Sequence, residues 1–315
     1  MRYPVGRAVN LAALMRIERA QANGIELAYE TFGERDAPPL LLIAGLGAQL
    51  INWPEDFCRE LAGRGHFVVR FDNRDAGEST HLHDAGKPDL RAILGDGDTS
   101  SAPYALTDMA DDAVGLLDAL GIDSAHLVGV SMGGMIAQTA TGYHPERVRS
   151  LTSIMSTSGE RSVSQSTPEA AAILTSPPAR TREEAIERAP EIGRVLGSPG
   201  FPLDEDALRE RAALAWDRGV DPPGFARQLG AIYRSGDRTE MLRSLALPTL
   251  VIHGEDDPLI PIAGGRATAA AVAGAELVTI PGMGHDLPRG AWPVLIDAIS
   301  SHVARVEGDR AAAVA

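Results

Sequence analysis

One stretch constrains this chain more than any other: Leu127-Val128-Gly129-Val130-Ser131-Met132-Gly133-Gly134. It reads Gly-x-Ser-x-Gly at the end of an apolar run and at the start of a helical pattern. A serine so placed sits on a sharp strand-to-helix turn with its hydroxyl lifted above a sheet. Gly129 and Gly133 leave room for backbone that any other side chain would block. By itself Gly-x-Ser-x-Gly is common in a chain with 33 glycines. Its context is what counts: Ala125 to Val130 is a buried-strand run, and Met135 to Ala140 continues as helix. The motif therefore predicts a nucleophile elbow, against the plainer reading of an ordinary strand–helix turn.

Around it, apolar runs alternate with helical patterns. Ile17–Gln21 and Ile25–Phe32, separated by Ala22-Asn23-Gly24, give a hairpin signal. Leu40–Ala44 reads as a strand covered on both faces, and Phe67–Phe71, Ala125–Val130, Val148–Met155, Leu247–His253 and Ala275–Ile280 read as further strands. Pro54 opens a helix at its first position, with Glu55 and Asp56 in the first turn. Thr107–Leu120 and Pro293–Val303 are amphipathic. The expected fold class is α/β: a mostly parallel, doubly wound sheet of about eight strands, counting the N-terminal hairpin, with helices on both faces.

From Ser156 to Arg243 the alternation stops. Ala, Arg, Glu and Pro dominate, and the stretch reads as short helices forming a cap inserted after strand 6. Ser162 to Pro168, rich in serine, leads into it. The expected organisation is an extension over 1–16, a core over 17–155, a cap over 156–243, the rest of the core over 244–306 and a frayed tail over 307–315. Met15 is an alternative start.

Composition narrows the function classes. A net charge of −14 without a basic cluster argues against a nucleic-acid partner. No apolar run approaches the ~20 residues of a membrane span, and Arg2 and Arg7 are not followed by a signal-peptide pattern. The single cysteine, Cys58, has no internal partner, which suits a reducing compartment, and the expected location is the cytoplasm. Cys58 itself reads as a small buried residue of a helix. Oligomeric state is not encoded in any pattern here.

A serine hydroxyl needs an adjacent base. His285 stands in Pro281-Gly282-Met283-Gly284-His285-Asp286, a glycine loop just after a strand, where a ligand-facing residue belongs. The other histidines fit less well. His126 and His253 lie within strands; His66, His144 and His302 flank or sit on other elements. His81-Leu82-His83-Asp84 resembles a metal motif, but no further histidine follows at useful spacing, so no metal and no cofactor is expected. The orienting acid should follow strand 7, where the chain reads Gly254-Glu255-Asp256-Asp257-Pro258. Asp257, held extended before Pro258, is the choice, and Asp256 is its rival. The oxyanion hole needs two backbone N–H donors: Met132, after the nucleophile, and Leu46, in Gly45-Leu46-Gly47 after the first parallel strand. In the cap, Trp216, Phe225 and Tyr233 are candidates to line an apolar pocket, or to pack the cap internally.

Gly129-Val130-Ser131-Met132-Gly133-Gly134, Gly254-Glu255-Asp256-Asp257-Pro258 and Gly282-Met283-Gly284-His285 together resemble the α/β-hydrolase superfamily, over about Ile17 to Val303. Trp53-Pro54-Glu55-Asp56-Phe57, Arg70 through Thr80 and Pro281 through His285 are similar to the aclacinomycin methylesterase group, which removes a methyl ester from a polyketide antibiotic with a serine, an aspartate and a histidine. The resemblance implies those roles for Ser131, Asp257 and His285. Many members carry His-Gly before the oxyanion residue; here Ala44-Gly45 stands there, and a backbone donor does not need that histidine. The implied activity is hydrolysis of a small-molecule carboxylic ester. The rivals are a cofactor-free perhydrolase using the same triad with peroxide, and a ligand-binding receptor on the same fold.

Overall fold

The computed structural model describes residues 16–314. The expected extension over 1–16, apart from Arg16, and the alternative start at Met15 fall outside the described residues.

An eight-stranded sheet in the order β1-β2-β4-β3-β5-β6-β7-β8 forms the centre. β1 (Glu18–Ala22) and β2 (Ile25–Phe32) make the expected hairpin. Asn23 and Gly24 turn it with φ of 48° and 78°, the left-handed pair that matches strand twist. β2 then runs antiparallel to β4 (Phe67–Phe71). β3 (Pro39–Ile43), β4, β5 (Ala125–Val130), β6 (Val148–Ile154), β7 (Thr249–Gly254) and β8 (Glu276–Ile280) are all parallel to one another.

Alternation along a strand sends side chains to opposite faces. Leu41 and Ile43 pack with Val69, Phe71 and the helices α2 (Leu106–Ala119) and α3 (Met132–Tyr143). Leu40 and Leu42 point the other way, into a second cluster with Val68, α1 (Glu55–Gly63) and α10 (Trp292–Val314). Phe57 lies between Trp53 and Trp292 there, meeting the latter edge-on at 5.5 Å. Buried in that cluster, the Cys58 thiol is pushed up to about 12 by desolvation.

Two expectations are corrected. Pro54 is the residue before α1, not its first helical residue; its extended ψ of 143° turns the chain into the helix. The chain also does not fray from Glu307. α10 continues to Val314, because Glu307 pairs with Arg149 at 3.2 Å and the following alanines favour helix.

Five helices fill the stretch between β6 and β7: α4 (Pro168–Thr175), α5 (Arg182–Leu196), α6 (Glu205–Arg218), α7 (Pro222–Ser235) and α8 (Thr239–Arg243). α9 (Ile262–Ala271) lies between β7 and β8. The loops after β3, β4, β5, β7 and β8 all leave the carboxyl ends of parallel strands, so they gather at one edge of the sheet, where open α/β folds bind ligands.

Candidate active site

β5 ends at Val130 and α3 begins at Met132, leaving Ser131 alone in the turn with φ 55° and ψ −121°. Such a backbone is strained for a residue with a side chain, and the surroundings hold it there. The Ser131 amide donates to Ile154 O at 2.9 Å, and its carbonyl accepts from Met135 N at 3.2 Å and from Ser156 Oγ at 2.7 Å. The two glycines permit the approach. A Cβ on Gly129 would lie 2.1 Å from Gly133 O, and one on Gly133 would lie 2.1 Å from Ile43 O.

Ser131 Oγ is 3.0 Å from His285 Nε2, and His285 Nδ1 is 2.7 Å from Asp257 Oδ2. Asp257 is buried, while Ser131 and His285 are partly open. Asp257 Oδ1 accepts from the amides of Leu259 and Ile260, each at 2.9 Å, so one carboxylate oxygen is fixed by backbone and the other is aimed at the imidazole. Asp256 is exposed and turned elsewhere: its Oδ2 accepts from Gly282 N at 2.9 Å. Between the two rivals, then, Asp257 is the one that meets His285, and Asp256 braces the loop that carries it.

A second imidazole lies close by. His253 Nε2 is 3.7 Å from Asp257 Oδ2 and donates to Ile260 O at 2.8 Å. Burial depresses the basicity of His253 below the ordinary histidine value. It stays uncharged near neutral pH and leaves the Asp257 charge to His285. The His285 loop is also gripped from the inserted helices. His285 N donates to Leu196 O at 2.7 Å, Gly284 N to Ser198 Oγ at 2.8 Å, and Gly200 N to Gly282 O at 2.9 Å. Ser198 in turn donates to Asp286, whose carboxyl is raised by burial.

Met132 is the first residue of α3, so its amide belongs to the unpaired donors at a helix start. Leu46 lies in the loop after β3. Among the described residues neither amide donates to another protein group, whereas the next one, Gly47 N, donates to Gln228 Oε1 at 2.8 Å. Gln228 is fully buried on α7, and its Nε2 donates to Arg74 O at 2.7 Å. It ties the loop after β3 to the loop after β4. Asn73 adds a second tie, donating to Ala44 O at 3.0 Å.

The three aromatic candidates of the inserted stretch separate. The Phe225 ring lies against Gly47, where an added Cβ would come within 2.6 Å of it. Trp216 is half-buried on α6. Tyr233 is 37% exposed near the far end of α7. Sequence reasoning missed Gln228, Ser156 and Ser198. No motif marks them; Gln228 and Gly47 are separated by 181 residues.

A family model for the alpha/beta hydrolase fold matches residues 38–288. Among curated proteins, the chain is similar to the rhodomycin D methylesterase DauP of Streptomyces sp. (strain C5), 32% identical over 88% of this chain and 95% of that protein. DnrP of Streptomyces peucetius, also a rhodomycin D methylesterase, is 32% identical over the same shares. Among solved structures, the enol-lactonase from Burkholderia xenovorans LB400 superposes with a TM-score of 0.64 at 26% identity, over 92% of this chain and all (100%) of the other.

Proposed function

The chain belongs to the α/β-hydrolase fold family, and from that premise we propose that it hydrolyses a carboxylic ester through an acyl-enzyme on Ser131. The observation that carries this reading is the continuous relay from Ser131 Oγ to His285 Nε2 and from His285 Nδ1 to Asp257 Oδ2. Ser131 Oγ attacks the ester carbonyl carbon while its proton passes to His285 Nε2. Asp257, its other oxygen held by two amides, keeps the Nδ1–H tautomer and stabilises the imidazolium. The amides of Leu46 and Met132 receive the developing oxyanion. Collapse of the tetrahedral intermediate expels the alcohol, which takes the proton from His285. Water then attacks the acyl-enzyme, giving its proton to His285, and Ser131 leaves as the free hydroxyl with that proton.

The proposed substrate is a methyl ester on a bulky, polyketide-like or otherwise apolar small molecule. Similarity to two rhodomycin D methylesterases over nearly their whole length supports it. So does Phe225 beside Gly47, which sets an apolar ring next to the proposed oxyanion loop. Residues 156–243 are proposed to act as the cap that selects the substrate.

A fluorophosphonate probe followed by peptide mapping tests the nucleophile. Labelling at Ser131, lost in Ser131→Ala along with steady turnover of a p-nitrophenyl ester, is the expected outcome. Labelling of another serine in that variant would refute the assignment. Assaying an aromatic polyketide methyl ester against its free acid product, with and without peroxide and bromide, separates methylesterase from perhydrolase action.

A further inference from the structure

Beyond the elbow, the loop after β4 carries two histidines that the proposed mechanism leaves unused. His81 Nδ1 is 3.1 Å from Asp221 Oδ2, and His83 Nδ1 is 3.8 Å from the same oxygen. The two rings are nearly parallel, with centroids 5.6 Å apart. The three ligand-type atoms all fall within 4.8 Å of one another. A third histidine was absent from this part of the sequence; the third member is an aspartate 140 residues downstream, at the start of α7.

The hydrogen bonding makes the arrangement informative. His81 Nε2 lies 2.9 Å from Gly77 O. A carbonyl only accepts, so Nε2 carries the hydrogen. In a neutral ring this turns the Nδ1 lone pair toward a carboxylate oxygen at hydrogen-bond distance, two acceptors face to face. A cation placed between the two acceptors removes the clash. An imidazole pinned through its far nitrogen by a backbone carbonyl is also how proteins orient a histidine toward a metal ion.

Charge balance points the same way. The Asp221 side chain is only 8% exposed. Arg227 Nη2 reaches its Oδ2 at 2.8 Å, but the same guanidinium makes two bonds to buried Asp75, at 2.7 and 2.9 Å. Two carboxylates thus share one guanidinium, and one negative charge is left facing the histidines.

We propose that His81, His83 and Asp221 bind a divalent transition ion of the zinc class, through the two Nδ1 atoms and a carboxylate oxygen. Two imidazoles and one carboxylate suit zinc, whereas magnesium and calcium favour all-oxygen sites. Tetrahedral ligands at zinc distances stand roughly 3.4 Å apart, and the separations from Asp221 bracket that value. The His83 side chain is 70% exposed and free to close the remaining gap. The ion would clasp the start of α7 to the core loop, just ahead of Phe225 and Gln228, which touch the loop of Leu46.

Zinc chloride titrated calorimetrically into the full-length, untagged protein tests the site, with thermal unfolding followed in parallel. The expected result is saturable one-to-one binding and a raised Tm, no comparable response to magnesium, and affinity at least ~10-fold lower in His83→Asn. His144→Asn, which alters the surface pair of His144 and Asp111, should leave binding unchanged. Wild-type affinity in His83→Asn, or no saturable binding by the parent protein, would overturn the proposal. Binding does not depend on turnover, so a failed esterase assay and a failed metal site are distinguishable.

Discussion

The sheet and the inserted helices bury themselves by different physics. α2 buries eight residues and α3 ten, nearly all apolar or small, against strands that are themselves apolar. α6 buries none, and α5 only Pro190. α7 is the exception, with seven buried residues, Ala226, Leu229 and Ala231 among them. The inserted stretch is also fastened by charge. Arg218 pairs with fully buried Asp72, Arg227 with Asp75, and Arg238 donates to Thr157 O at 2.9 Å. Apolar packing is tolerant of exchange but hard to detach; a buried ion pair contributes little net stability yet is costly to break from one side. The scaffold that aligns Ser131, His285 and Asp257 is therefore robust. The part proposed to choose the substrate docks mainly through α7 and a few buried polar contacts, with α5 and α6 outside them.

The largest effect should come from the core. Asp257→Asn should lower kcat by about 10³–10⁴, through loss of the tautomer and of imidazolium stabilisation. Asp256→Asn should cost less than ~10-fold, because an amide oxygen still accepts from Gly282 N. Steady-state kinetics on the two variants decide it; a reversed order would move the relay to Asp256.

That assignment also marks how far the sequence could be read. The elbow turn and the apolar strands were legible because each depends on local pattern: an apolar run, then a turn, then a polar residue at the strand end. The order of the strands in the sheet was not, since β3 lies between β4 and β5. Asp257 over Asp256 was readable only through Pro258, which holds the preceding residue extended. Gln228, Ser198 and Asp221 were not legible. Each is an ordinary polar residue in a helical stretch, and its partner is set by how that stretch docks, a long-range outcome with no periodic signature. The exposure of Tyr233 was not legible for a related reason: the buried residues of α7 run from Gly224 to Ala231, and position 233 falls beyond them.

Next in size is the charge anchor. Arg227→Met should destabilise by about 3–5 kcal/mol, because Asp75 and Asp221 lose the guanidinium they share. If the core is as independent as its packing suggests, the loss should appear as early proteolysis within residues 156–243, with the far-ultraviolet transition of the sheet shifted less. Uniform loss of both would show the two regions to be one cooperative unit. Smaller again is the seam between them. Gln228→Leu removes the acceptor for Gly47 N and the donor to Arg74 O. With the Leu46 loop no longer braced, kcat should fall by about 10–100-fold while KM changes little. A change in KM alone would mean that Gln228 shapes the pocket rather than the oxyanion loop.

The smallest effect belongs to the sheet and is read through pH. His126 lies buried on β5, within 2.8 Å of Ser150 Oγ and 3.2 Å of Glu307 Oε1. Burial, aided by the Arg149 charge, depresses its pKa from 6.5 to about 3. Between those values the unfolded chain binds a proton that the folded chain refuses, so stability falls as pH drops below 6.5. At pH 5 the loss from this one ring is at most about 2 kcal/mol, and the nearby Glu307 carboxylate, which favours the charged ring, reduces it. His66, His253 and His302 are depressed by burial too and add to the slope. All four lie outside the inserted helices, on or beside the sheet, so acid should weaken the core by this route. His126→Gln should flatten part of the dependence, measured as the difference in urea midpoint between pH 7 and pH 5. An unchanged difference would mean that His126 already carries its proton in the folded state, paired with Glu307 as a buried ion pair that ties α10 to the sheet.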